Sequence, residues 1–111
     1  MPPMSLFLAF MEVDLGSHKE GVAPATRALV PAFATGETYE PALKAAVVEL
    51  RSQGYEFLDI QGKVQELDAT QWSTYVQAVW PEFESELPKQ SEVLLGLREP
   101  MVFFGPFMAY P

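Results

Sequence analysis

Asp59 stands between Leu58 and Ile60 in an otherwise apolar run, and a carboxylate carried into a buried strand would titrate away from its ordinary range and could act as a base. A strand that turns Asp59 outward, or an arginine paired with it, would leave it without chemistry. Tyr55, Trp72, Tyr75 and Trp80 combine an apolar body with one polar contact, the make-up of residues that line small-molecule sites as well as cores, and Phe104 adds an aromatic ring from the C-terminal segment. These six residues form the candidate ligand-binding set; no residue is assigned a catalytic role. His18, the single histidine, falls in a glycine-flanked loop where it could exchange protons near neutral pH. Glu12 and Asp14, two positions apart, share one strand face, as paired carboxylates or as a solvated edge.

Composition removes several classes of function. The chain has no cysteine, so it offers no disulfide, no thiolate metal site and no cysteine nucleophile, and one histidine cannot build a histidine-rich metal centre. Metal and cofactor are therefore not expected. There is no glycine-rich phosphate loop, serine elbow or metal-ligand spacing. The formal charge is −8 with only seven Lys and Arg among 111 residues, too few cations to neutralise phosphates, so nucleic acid is not an expected partner. The apolar run 6–11 follows Met-Pro-Pro, is shorter than a membrane span and leads into Glu12 and Asp14; neither an export signal nor a membrane anchor is read there, and a cytoplasmic location is expected. Pro2, which would become the N-terminus on removal of the initiator methionine, resembles the catalytic proline of the tautomerase family. The resemblance covers two residues only: in that family the strand begins at the proline, whereas Pro3, Met4 and Ser5 intervene here, and no partner arginine can be matched.

The elements that must position these residues centre on 41–60, which reads as a helix, a glycine stop and a strand in succession. Leu43, Ala46, Val47 and Leu50, with Tyr39 one turn earlier, recur at helical spacing. Gly54 follows where a residue of positive φ ends a helix, and Tyr55, Phe57, Leu58 and Ile60 are strand-type residues. Gln61-Gly62-Lys63 reads as a bulge or tight turn, after which 64–67 continues the strand or begins another. Upstream, Phe7, Ala9, Met11, Val13 and Leu15 alternate with Leu6, Leu8 and Phe10, the pattern of a central strand covered on both faces. Residues 26–34 are read as an edge strand because Pro31 cannot donate to a ladder. Asp68 to Gln71 has the form of a capping box, and Trp72, Tyr75, Val76, Val79, Trp80 and Phe83 follow helical spacing, with Pro81 bending or ending that helix. Residues 91–97 fit a strand or one or two helical turns capped by Ser91, and Glu92, suited to a first turn, favours the helix. Residues 101–110 are read as a second inner strand, interrupted at Gly105-Pro106.

The expected fold is α+β: a roughly four-stranded, mostly antiparallel sheet with the helices 39–53 and 70–83 on one face, loosely ferredoxin-like. With both helices on one side, the aromatic residues of the other face need a cover: the chain's own loop 16–34, a second copy making a homodimer, a small apolar ligand or a protein partner. The expected function is a non-catalytic binding module. A small cofactor-free enzyme of the isomerase or monooxygenase kind, and an acidic inhibitor or immunity-type protein presenting Glu82, Glu84, Glu86 and Glu92 to a basic partner, are the alternatives.

Overall fold

The computed structural model describes residues 4–14 and 27–110, and in it both apolar faces of the first strand are buried beneath this chain's own helices. Strand β1 (Ser5–Asp14) pairs antiparallel with β2 (Arg27–Gly36) on one side and with β3 (Glu56–Leu67) on the other. Two short strands, β4 (Val102–Phe104) and β5 (Met108–Tyr110), pair in succession with the outer side of β2, giving the order β3-β1-β2-β4. Helix α1 (Tyr39–Ser52) connects β2 to β3. Both strands run opposite to β1, so they are parallel to each other with β1 between them, a split βαβ unit that fits the loosely ferredoxin-like description. The fold is α+β.

The helices do not share a face. Phe7, Ala9, Met11 and Val13 of β1, with Ala28, Val30, Ala32 and Ala34 of β2, bury themselves against Ala42, Ala46 and Leu50 of α1. The alternate residues Leu6, Leu8 and Phe33 pack instead with Trp72 and Val76 of α2 (Trp72–Val79), with Val93 of α3 (Gln90–Leu95), and with Ala69 and Leu87. The expectation of two helices on one side is corrected here, and its physical consequence is direct: strands apolar on both faces need no outside cover when each face receives a helix.

Two strand assignments also exchange places. Residues 27–36 form an inner strand and 101–110 the edge. Pro31 is tolerated inside the sheet because of where its nitrogen points. Its carbonyl accepts a hydrogen bond from the Gly105 amide at 2.8 Å, and in an extended residue nitrogen and carbonyl face the same neighbour, so the missing N–H falls on the β4 side and not on the β1 side. The ladder to β4 stops at Phe104 and resumes at Met108, leaving the interruption opposite the proline. Gly105 is needed for this approach: a Cβ there would lie 2.7 Å from Pro31 Cγ. Next to it, the buried hydroxyl of Thr35 accepts from the Met101 amide at 2.9 Å, and the Thr35 amide donates to the Met101 carbonyl at 3.0 Å.

Locally the chain follows its sequence closely. At the end of α1 the Gly54 amide donates to Arg51 and the Tyr55 amide to Leu50, with Gly54 at φ 93°, a complete Schellman closure. The buried stripe of α1 is Ala42, Ala46 and Leu50, with Leu43 and Val47 at its margin and Tyr39 half-exposed. Strand β3 is continuous through Leu67 but shifts register twice against β1, once near Leu58 and once around Gly62. Those shifts put Phe57, Ile60 and Val64 on the α1 side although their spacing is not strictly alternate. Asp68 accepts from the Thr70 amide at 3.0 Å and the Thr70 hydroxyl at 2.6 Å, capping a 3₁₀ turn at Ala69–Gln71. Pro81 ends α2 and opens a second 3₁₀ turn, Pro81–Glu86. Helix α3 starts after Lys89, not Ser91; the Lys89 amide donates to the Glu92 carboxylate at 2.9 Å. No helix among the described residues is long and apolar enough to cross a membrane.

Candidate functional site

The six residues singled out in the sequence separate onto different sides of the sheet. Trp72, Tyr75 and Trp80 converge on Phe33, which meets their rings edge-on at centroid distances of 5.1, 6.4 and 5.8 Å. Phe103 stacks on Phe33 at 4.9 Å, and Trp72 lies against Tyr75 at 5.8 Å. This is a filled aromatic core, with edge-to-face and offset contacts typical of such packing. Burial pushes the Tyr75 hydroxyl above its ordinary titration range. The aromatic sheet face expected to receive a ligand or a second copy is thus occupied by α2 and the turn that follows it.

Tyr55 and Phe104 belong to the opposite face, packed against the α1 cluster. Tyr55 touches Phe107 across the end of that face at 5.1 Å. Asp59 is exposed, opposite Glu12 in the β1–β3 register, with its Oδ1 accepting from the Ile60 amide at 2.8 Å. Glu12 accepts from Gln61 Nε2 at 3.3 Å and lies 3.9 Å from an Arg27 guanidinium nitrogen. These carboxylates form a polar end to the sheet, and no group of them among the described residues is arranged to hold a metal ion. His18 and Pro2 lie outside the described residues.

A recess does exist beside the aromatic core, on its outer side. Trp72, Val76 and Leu87 form its apolar floor, and Ser73, Gln77, Glu84, Ser85, Lys89 and Gln90 its rim, around a volume of about 310 Å³. It is built by the crossing of α2 over residues 84–90, and two side chains fix the walls. Trp72 Nε1 donates to the Pro88 carbonyl at 2.8 Å. Gln90 accepts from the Ser73 amide at 2.8 Å and donates to the Ala69 carbonyl at 2.6 Å, so one amide group joins the start of α3 to the start of α2. Trp72 is only 1% exposed; it supplies floor and a fixed wall rather than a free ring face.

Two other recesses are larger but shallower. One, of about 400 Å³, lies over the start of β1 and Glu66 to Ala69; the other, of about 460 Å³, is an open trough over Phe7, Tyr39 and Val64. The groove beside α2 is more enclosed than either, and its apolar floor lies inside a polar rim, the combination that binding sites use; the trough also sets Phe7 and Val64 beside Lys63 and Glu66 but lies open. Sequence reasoning named Trp72 as a ligand candidate, Val76 in the helical stripe and Glu84 in an acidic patch, but did not bring them together, and it missed the rest. Ser73, Gln77, Ser85, Lys89 and Gln90 are ordinary surface residues until the fold brings them together, and the framing by Pro81 and Pro88 was the available signal. Comparison with family models, curated proteins and solved structures finds no match to the chain.

Proposed function

We propose that the protein is a small non-catalytic binding module, and that it receives an apolar group in the groove between α2 and residues 84–90. The observation supporting this is the pinned groove itself: an apolar floor of Trp72, Val76 and Leu87 ringed by hydroxyl, amide and charged groups, with walls held by the Trp72 and Gln90 hydrogen bonds. A site whose shape is set before binding loses less conformational entropy on ligation. The homodimer expected from the sequence rested on an uncovered sheet face; with a helix on each face that premise is gone, and the dimer is no part of this proposal.

The test is thermal unfolding in the presence of a panel of small aromatic and aliphatic amides. Fragments that enter the groove raise the melting temperature with the logarithm of one plus their concentration over Kd, and Gln77→Trp, an exposed substitution at the rim, removes that rise without lowering the melting temperature of the free protein. Fragments that stabilise the variant and the parent protein equally would show that the groove is not where they bind and would overturn the proposal.

A further inference from the structure

Resting on that reading, we infer that the natural occupant of the groove is an arginine side chain presented by a basic segment of a protein partner. Size is the first argument. A recess of about 310 Å³, open along one side, accommodates one or two side chains rather than enclosing a whole cofactor. Partner proteins commonly anchor through a few such inserted residues, among which arginine is over-represented.

Charge is the second argument. Glu84 stands on the rim; Glu82 is exposed on the same turn, while Glu86 borders a separate recess beside Phe83 and Phe104 and contributes only to the general field. The chain as a whole carries −8, a field that attracts cationic partners and lowers the cost of docking them. Glu92, whose carboxylate accepts from the Lys89 amide, keeps its negative charge at the start of α3. One cation, Lys89, also lines the groove and opposes this, so the sign of the charge effect can be checked from both sides. Arginine satisfies both parts of the groove: its methylenes cover Val76 and Leu87, while its planar guanidinium can engage the Glu84 carboxylate through two parallel hydrogen bonds, which a lysine ammonium cannot.

The test is calorimetric titration of the full chain with the acetylated, amidated hexapeptide Leu-Arg-Leu-Arg-Leu-Arg, and with the same peptide carrying Glu in place of Arg. The arginine peptide is expected to bind and the glutamate peptide not. Glu84→Gln should weaken binding about fivefold, the size of one partly exposed charge pair, and Lys89→Gln should strengthen it about threefold. Both residues are exposed, so neither variant threatens the fold. Equal binding of the two peptides, or a Lys89→Gln variant that binds more weakly, would overturn the inference. Should the arginine peptide fail while the small amides still stabilise the protein in a Gln77-dependent way, the occupant is wrong and the binding groove stands; failure of both removes the groove as well.

Discussion

Replacing Gly105 by alanine would drive a methyl group to 2.7 Å from Pro31 Cγ and to 3.5 Å from a Phe33 ring carbon. The first distance is far inside ordinary contact, and neither neighbour is free to retreat. Pro31 is a closed ring in a buried inner strand, and Phe33 is wedged among Trp72, Trp80 and Phe103. Forced overpacking of this kind costs about 1–3 kcal/mol, which for a chain of this length lowers the melting temperature by roughly 4–12 °C. Because the clash lies in one atom pair, the two positions should be coupled. Pro31→Ala removes the ring and restores an N–H that can reach Gly105, and Gly105→Ala introduced into that background should cost less than about 0.5 kcal/mol. Urea denaturation of the four proteins of this cycle measures the interaction energy, expected at about 1 kcal/mol or more. Additive effects would refute the claim that close approach to the Pro31 ring is what requires glycine at 105.

Gly54→Ala should destabilise by about 1–2 kcal/mol, through backbone conformation alone, since φ is 93° and nothing lies within 4 Å of the added carbon; an unchanged urea midpoint would contradict it. Because burial raises the Tyr75 hydroxyl above its ordinary value, the folded state holds its proton longer than the unfolded chain does. Stability should therefore fall as pH rises above about 10, the usual tyrosine value, and Tyr75→Phe should flatten that fall in alkaline denaturation curves. Asp68 has the opposite sign: the Thr70 hydroxyl, then the Thr70 amide, hold its carboxyl below the usual range. Its contribution is present above the ordinary aspartate value and lost on acidification, so Asp68→Asn should lessen the acid sensitivity of the melting temperature.

Features set by neighbours in sequence were legible before the structure was. The stop at Gly54, the end of α2 at Pro81 and the double apolar face of β1 each follow from local rules of backbone conformation and periodicity. Features set by distant pairing were not. Nothing in Arg27–Gly36 announces that the ladder opposite Pro31 will be interrupted, so the proline argued for an edge that β4 and β5 in fact occupy. The register shifts near Leu58 and Gly62 decide which side Asp59 takes, and they arise from pairing with β1. The apolar surface on both strand faces was legible, but the cover sought beyond the two helices was not needed, because α1 and α2 lie on opposite faces. Which element covers each face depends on the side to which α2 returns, and helical periodicity does not encode that side. Trp72, Tyr75 and Trp80 gathered around Phe33, in a segment whose central place was not foreseen, and became core, while Tyr55 and Phe104 went to the α1 face. The groove escaped notice for a simpler reason: its rim consists of polar residues up to seventeen positions apart, from Ser73 to Gln90, with no spacing that marks them.

The chain has two tryptophans, and the groove separates them: Trp72 lies in its floor with the indole N–H bonded to the Pro88 carbonyl, while Trp80 packs on Phe33 outside it. A two-dimensional ¹⁵N–¹H spectrum recorded with and without the small amides therefore tests the central claim in a single comparison. If the groove is the binding site, the Trp72 indole signal moves with added fragment and the Trp80 signal stays. If the Trp72 signal holds still while backbone amides elsewhere shift, the protein binds through another surface and the account is contradicted.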